Sequence, residues 1–293
     1  MQHALSPTGT GLSDRPWMPW LPVAVGLAAL YVPSYLVLSR TIWTTEENGH
    51  GPIVLAVFLW LVWRQRDVLI SSVGRPNPVL GWSSLIAGLL LFVLGHSQSI
   101  EALSVASHIP VLIGVVLLLQ GWAAVRALWF PFLFLLFLIP LPGILLDPLT
   151  AVLKQQVSAI VESALYFFGY PIGRRGVTIQ MGPYQLLMAD ACSGLNSIFS
   201  LSALGLLYLH LMQYKSKLHN VFMLLSIVPI AIAANVIRVA TLVLITYYFG
   251  DGVGQGFAHS AAGMLLFVVA LLLLLAFDGV LRWFFSDRRG APA

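Results

Sequence analysis

Hydrophobic residues occur along this chain in long runs rather than in short alternating stretches. Eight such runs are separated by short segments that carry most of the charged residues, with glycine and proline between them. A helix needs about 20 apolar residues to cross the hydrocarbon core of a membrane. The pattern predicts an all-α polytopic membrane protein with about eight transmembrane helices, at residues 18–39, 51–63, 79–96, 104–122, 127–146, 192–212, 219–249 and 258–282.

Two of the predicted spans have unusual lengths. The second, at residues 51–63, is short for a full crossing, so it either thins the bilayer locally or is partly re-entrant. The seventh, at residues 219–249, is too long for one straight crossing, and Pro229 is a natural position for a kink. The sequence leaves the continuity of both spans open.

The longest polar connection lies between the fifth and sixth spans. Its first part, from Asp147 to Gly169, places apolar residues at near-helical spacing, which predicts an amphipathic helix lying at the membrane interface. Two short apolar runs follow, at residues 177–181 and 184–188, separated by Gly182 and Pro183. They predict a small β-hairpin on the outer surface just before the sixth span.

Composition excludes several classes of protein. The chain has 293 residues, of which 59% are hydrophobic and 9% charged, with a mean hydropathy of +0.90. Soluble proteins average about 25% charged residues, so a soluble enzyme, a disordered chain and a nucleic-acid binder are all excluded. We expect one transmembrane domain at residues 17–286, between a flexible cytoplasmic tail at 1–16 and a short cytoplasmic tail at 287–293.

The basic residues predict the orientation of the chain. With both termini in the cytoplasm, ten of the 15 Lys and Arg residues fall in cytoplasmic segments and four fall outside, and Arg238 is left within a span. Seven of the 11 acidic residues fall outside. Because Lys and Arg accumulate on the cytoplasmic side, we predict a multi-pass protein with both termini inside.

Arg238 is the most conspicuous polar residue of the spans, since it lies in the apolar stretch IAANVIRVATLVLI. An arginine within a span costs at least about 2.5 kcal/mol on insertion scales, and such residues are candidates for function. The alternative is that Arg238 snorkels to the headgroups. Counting 18 residues from Asn220 gives about 27 Å of helix, which predicts a position near the outer boundary.

Cys192 and His259 are predicted to lie near the same outer face. Cys192 is the single cysteine and begins the sixth span, where a helix N-terminus lowers the pKa of a thiol and offers N–H groups to an oxyanion. His259 begins the eighth span. A buried structural thiol and a helix-capping histidine are the plain alternatives. A thiolate, an imidazole and a cation together form a coherent set for acyl transfer.

Other catalytic and metal-binding patterns are absent from the sequence. There is no HExxH motif, no GxSxG elbow and no phosphate-binding glycine loop. A single cysteine also cannot form a thiolate metal cluster. We therefore expect neither a metal nor a cofactor.

Three segments resemble the exosortase and archaeosortase family of polytopic membrane transpeptidases. They are ADACSGLNSIFSL around Cys192, ANVIRVATLVL around Arg238 and FAHSAAGMLLFVVAL around His259, in the order and spacing of that family. The stretches GHGPIVLAVFLWLVWRQR and FLIPLPGILLDPLT also resemble it. The resemblance covers residues 45–282, and the bacterial exosortases look closer than the archaeal branch.

The resemblance implies a function in protein sorting. Exosortases act in the inner membrane of bacteria that make exopolysaccharide. They recognise proteins with a C-terminal Pro-Glu-Pro motif, one transmembrane helix and a basic cluster, and cleave near the motif on the outer side. The implied partners are such membrane proteins, the lipid bilayer and an unknown acceptor nucleophile, with no nucleic acid.

The resemblance also implies residue roles. Cys192 matches the nucleophile that forms a thioester, and Arg238 and His259 match the essential arginine and histidine, although the sequence does not say which of the two stabilises the oxyanion. Asn196 and Asn235 are candidate orienting residues, or they form hydrogen bonds between helices. We further expect Arg174 and Arg175 on the outer hairpin to attract the acidic motif.

Two other functions are compatible with the same sequence. With water as the acceptor, the three residues would make an intramembrane cysteine protease. A non-enzymatic transporter or an assembly component of an exopolysaccharide complex is the alternative from another class, and a second buried ionisable group in the bundle centre or a through-going cavity would favour it.

Overall fold

The structure, a computed structural model, describes residues 18–45, 48–70, 75–140, 143–187, 194–250, 252 and 257–285. Most of these residues are helical, and one small sheet is present. The two predicted tails and Cys192 lie outside the described residues. The chain divides into two compact units, Met1–Pro140 and Leu141–Ala293, and each is described by itself.

The first unit is built from helices of very different length. Its described residues include 3-10 turns at Ile42–Thr44 and Leu135–Leu138. Its α-helices are α1 (Trp20–Arg40), α2 (Gly51–Arg64), α3 (Arg66–Ile70), α4 (Pro78–Ser97), α5 (Glu101–Ala106), α6 (His108–Leu119), α7 (Trp122–Ala127) and α8 (Trp129–Phe134).

Helix α4 packs against α5 and α6 through a row of glycines. Gly81, Gly88 and Gly95 are its buried residues, and they repeat every seven positions. A Cβ on Gly88 would lie 2.7 Å from the backbone nitrogen of Val111 on α6. Small residues at this spacing let two helix backbones approach closely, which is a common way to associate helices in membranes.

Polar side chains join α1 to the start of α6. The hydroxyl of Tyr31 lies 3.0 Å from the hydroxyl of Ser107, and the hydroxyl of Tyr35 lies 2.7 Å from Nε2 of His108. The Tyr31 and His108 rings stack with centroids 3.6 Å apart. Buried polar groups of this kind are stable in an apolar bundle because each finds a partner.

The prediction of one continuous fifth span at residues 127–146 is wrong. The helical path through this run ends at Leu138, and a new helix begins at Gly143. Ile139 has the extended backbone that a residue before proline favours, and Pro140 follows it. In the fourth run the helix ends at Leu119, three residues before the predicted boundary, and Gly121 takes a positive φ of 78°.

The described residues of the second unit form four helices of 19 to 33 residues and a sheet. Its helices are α9 (Gly143–Phe167), α10 (Gly194–Met212), α11 (Lys217–Phe249) and α12 (Phe257–Phe285), and its strands are β1 (Ile172–Arg175), β2 (Thr178–Met181) and β3 (Tyr184–Leu187). Helix α9 confirms the predicted helix after the fifth run, although it begins four residues earlier. Helix α11 continues past Pro229 as one helix of 33 residues, and α2 is likewise continuous.

The predicted two-stranded hairpin is part of a three-stranded antiparallel sheet in the order β1-β2-β3. Strands β2 and β3 are the predicted pair, and β1 was not predicted, because its sequence IGRR has no alternation of apolar residues. The register pairs Ile172 with Met181 and Arg174 with Ile179. One face of the sheet therefore packs on α9 and α11 as part of a core that includes Val161 and Leu242.

Five helical segments in the described residues are long and apolar enough to cross a membrane: Trp20–Thr44, Pro78–Ser97, Glu101–Leu119, Lys217–Phe249 and Phe267–Phe284. Three shorter apolar helices lie at Gly51–Arg64, Trp129–Leu138 and Phe199–Met212. The chain is thus a largely helical, multi-pass membrane protein, and each of these eight segments overlaps one of the eight runs of the sequence.

Candidate functional site

Arg238 lies on the buried stripe of α11. The stripe repeats every three or four residues, as expected for a helix face turned to the protein interior, and passes through Ala231, Ala234, Asn235, Arg238 and Leu242. Arg238 is 4% exposed and Asn235 is fully buried. A snorkelling arginine would reach the surface of the bundle, so its burial argues against that alternative.

The start of α10 lies at the same depth as Arg238. Leu201 of α10 packs with Ala231 of α11, and Gly205 faces Ile227. These contacts show that the two helices run antiparallel. Seven residues separate Leu201 from Gly194 and seven separate Ala231 from Arg238, so both lie about 10 Å from the contact in the same direction.

The first turn of α12 lies on the same side of this contact. Ala270 of α12 belongs to the cluster of Leu201, Ala231 and Ala234. His259 is 11 residues before Ala270, or about 16 Å along the helix. The backbone at His259 is therefore about one turn beyond the level of Arg238, in the same direction as the start of α10.

Three of the candidate residues are described only by their backbone or not at all. Cys192 precedes Gly194 by two residues and lies outside the described part of the chain. His259 and Asn196 are in the first turns of α12 and α10, and their side chains lie outside the description. The structure thus places the starts of α10 and α12 near the level of Arg238.

The two arginines of β1 differ in their surroundings. Nε of Arg174 donates a hydrogen bond of 3.0 Å to Oε2 of Glu162 on α9, and its Nη1 donates one of 2.9 Å to the carbonyl of Gly176. Arg175 lies on the opposite face of the sheet and is exposed. Arg174 therefore fastens the sheet to α9, whereas the charge of Arg175 points to solvent or headgroups.

A buried polar cluster that sequence analysis missed lies toward the other end of the three helices. Asp278 of α12 is 1% exposed. Its Oδ1 lies 2.8 Å from Nε2 of His219, and its Oδ2 accepts hydrogen bonds of 2.8 Å from the hydroxyls of Tyr208 and Tyr214. Arg282, one turn further along α12, forms an ion pair with the same carboxylate.

The signal for this cluster was present in the sequence. Asp278 follows the stretch LLLLLAF inside a predicted span, and an acid in such a position is as unusual as an arginine. Burial raises the pKa of the Tyr214 hydroxyl, which lies between α10 and α11, so it remains a donor to Asp278. Because every partner lies in this end of the bundle, the cluster is separate from the segments around Arg238.

Outside these two clusters, the described part of the second unit has few polar groups that could bind a ligand. A groove of about 620 Å³ between α11 and α12 is lined by apolar side chains, with Ser226 as its single hydroxyl. In the parts of the chain that the structure describes, no three His, Cys, Asp or Glu residues are close enough to hold a metal ion.

Comparison with protein families gives one match. The profile of the transmembrane exosortases matches residues 42–276. The chain belongs to the transmembrane exosortase family. The match includes the segments around Cys192, Arg238 and His259 of this exosortase. Comparisons with curated proteins and with solved structures give no match.

Proposed function

We propose that this exosortase is a membrane cysteine peptidase and transpeptidase. Its substrates would be exported membrane proteins with a C-terminal Pro-Glu-Pro sorting signal, and the reaction would pass through a thioester. Family membership supports the general class of reaction. The observation that carries the assignment is the common depth of the start of α10, Arg238 and the first turn of α12.

The three residues would divide the work of acyl transfer. The Cys192 thiolate attacks the scissile carbonyl, and the resulting oxyanion needs a cation or N–H donors nearby. His259 takes the thiol proton or gives a proton to the leaving amine. The guanidinium of Arg238 is buried and stays charged. Its electrostatic interaction with an oxyanion would be stronger in this low-dielectric site than in water. Asn235, one turn before Arg238, and Asn196 would orient these groups.

The acceptor decides between sorting and plain proteolysis. A thioester is open to attack by an amine or another nucleophile as well as by water, and its lifetime depends on exclusion of water from the site. The acceptor nucleophile of the proposed transfer is unknown, and exopolysaccharide-associated surface sorting is the setting that the family suggests.

Arg174 and Arg175 would contribute to recognition of the acidic motif. The contacts of β1 favour Arg175, because Glu162 and the Gly176 carbonyl already occupy donors of Arg174. Strand β3 ends five residues before Cys192. A substrate motif bound at the sheet would therefore be only a short stretch of this chain away from the proposed nucleophile.

The proposed topology has eight spans, both termini in the cytoplasm and the site near the periplasmic face of the inner membrane. The excess of Lys and Arg on one set of connections supports this orientation. The transporter alternative gains little support, because Asp278 and His219 pair with each other near the end of the bundle and the groove beside them is apolar.

The test is the fate of an epitope-tagged membrane protein bearing the Pro-Glu-Pro signal, co-expressed with wild type or Cys192→Ala. We expect wild type to shift the substrate mass and the variant to leave it unprocessed. His259→Ala should also abolish processing, and His210→Ala, toward the other end of α10, should leave it intact. Processing that survives Cys192→Ala contradicts the proposal.

Product analysis then separates the two peptidase functions. Mass spectrometry of the new C-terminus gives a conjugate for a transpeptidase and a free carboxylate for a protease. Arg238→Lys provides a further comparison, because lysine keeps the charge but not the planar fork of donors.

A further inference from the structure

Five exposed aromatic side chains cover the end of the second unit where α9 and α11 terminate. They are between 63% and 84% exposed, whereas most aromatic residues of globular proteins bury their rings. The hydroxyls of Tyr170 and Tyr248 lie 3.1 Å apart and join the chain after α9 to the end of α11. We call the five residues the aromatic patch: Tyr166, Phe167, Phe168, Tyr248 and Phe249.

We propose that the aromatic patch binds the headgroup layer of the phospholipid bilayer and fixes the depth of the second unit in the membrane. Aromatic residues with one apolar and one polar end are enriched at membrane interfaces. The patch lies at the end of α11, a helix long and apolar enough to cross a membrane. The last turn of such a helix is where an interface must lie.

The length of α11 supports the same placement. From Asn220, near its basic end, to Tyr248 are 28 residues, or about 42 Å of helix. A bilayer with its headgroup regions is about 40–45 Å thick. The helix therefore reaches from one headgroup layer to the other, and Lys215 and Lys217 lie at the end opposite the aromatic patch.

The placement of the aromatic patch also gives the depth of the proposed catalytic site. This step, unlike the placement itself, rests on the proposed function. Arg238 is ten residues before Tyr248, or about 15 Å below the aromatic patch. Headgroup layers are about 6 Å thick, so Arg238 and the start of α10 lie within the hydrocarbon layer. Cleavage would take place beneath the membrane surface, and the scissile segment would have to enter the bilayer.

The experiment uses fluorophores attached to single cysteines. Cys192→Ala gives a chain without cysteine, into which Phe168→Cys, Tyr248→Cys or Val268→Cys is introduced. Each purified full-length variant is labelled with bimane and placed in phosphatidylcholine vesicles with a nitroxide on the headgroup or at acyl carbon 12. Val268 is the control because it is exposed on α12 beside Ala270, whose contact with Ala231 lies about 25 Å below the aromatic patch.

We expect the headgroup nitroxide to quench bimane at positions 168 and 248 about twofold more than the acyl-chain nitroxide does. Position 268 should show the opposite order, with stronger quenching by the acyl-chain nitroxide. Quenching at 168 or 248 by the headgroup nitroxide that is no stronger than at 268 would mean that the patch is covered by protein or lies in water, and it overturns the proposal. Stronger quenching there by the acyl-chain nitroxide overturns it as well.

A fourth position measures the depth of the site separately. Ile237 is 40% exposed and adjoins Arg238, so bimane at Ile237→Cys should be quenched more by the acyl-chain nitroxide. Stronger headgroup quenching at 237 would overturn the depth of the site. None of these measurements requires activity, so they remain informative even when substrate processing fails.

Discussion

Removing the Asp278 carboxylate should destabilise the second unit strongly. The side chain is almost fully buried and receives hydrogen bonds from α10, from the connection to α11, and from α11 itself, so it ties three helices together. In Asp278→Ala the hydroxyl of Tyr208 and Nε2 of His219 lose their shared acceptor. A buried polar group left without a partner costs much more than an exposed one.

The magnitude follows from the three hydrogen bonds that the carboxylate accepts. At about 0.6–1.7 kcal/mol each, they amount to about 2–5 kcal/mol. We therefore expect Asp278→Ala to lower the free energy of unfolding by about 3 kcal/mol, which is about a hundredfold change in the unfolding equilibrium. Asp278→Asn keeps an acceptor for the tyrosines and should cost less.

The measurement is reversible unfolding in mixed detergent micelles with increasing dodecyl sulfate, followed by circular dichroism. Arg282→Gln is the matched control, because the Arg282 side chain is 55% exposed and pairs with the same carboxylate. Exposed ion pairs contribute less than about 1 kcal/mol. If Asp278→Ala and Arg282→Gln unfold at the same detergent fraction, the cluster does not hold the three helices together.

Two further predictions concern glycines of the first unit. Gly88→Val should separate α4 from α6 and lower the unfolding free energy by about 1–3 kcal/mol, whereas Ala87→Val, on the exposed face, should leave it nearly unchanged in the same unfolding assay. Gly121→Ala should lower the thermal unfolding midpoint, because a Cβ there meets the Arg75 carbonyl at a positive φ. Gly26→Ala, in open space within α1, should raise that midpoint slightly; equal midpoints for the two alanine variants would contradict the argument.

Hydropathy predicted most of the helical architecture because the membrane simplifies the problem. A chain that crosses hydrocarbon must satisfy its backbone hydrogen bonds internally, so an apolar run of sufficient length is a helix. The runs at residues 18–39 and 79–96 illustrate this, since α1 and α4 match them within about two residues. The prediction for the fifth run was wrong because hydropathy does not report backbone conformation. Pro140 ends the helical path within a stretch that is equally apolar on both sides.

Contacts between distant residues were beyond the sequence pattern. Strand β1 exists because Ile172 packs on α9 and Arg174 reaches Glu162, and neither partner is visible in the sequence IGRR. The pairing of Asp278 with His219 joins residues 59 positions apart. A single sequence identifies such residues as unusual, but only the packing of the helices identifies their partners.

The candidate site could be predicted further than the fold around it, because its residues stand out chemically in an apolar chain. Cys192 is the single thiol, and Arg238 interrupts a span. What the sequence left open at Arg238 was the choice between a snorkelling and an interior arginine. The phase of the helix decides it: Arg238 shares the stripe of Ala231 and Ala234, which face the protein.

The small residues of that stripe also explain why the starts of α10 and α12 lie near the level of Arg238. Ala231 and Ala234 allow α10 and α12 to approach α11 closely, and the contact lies about two turns below Arg238. Because the two neighbours run antiparallel to α11, a contact at this point brings both of their N-terminal ends to the level of the arginine. A larger side chain at Ala234 would move these ends apart, so the packing of this one turn determines whether the proposed acyl-transfer residues can act together.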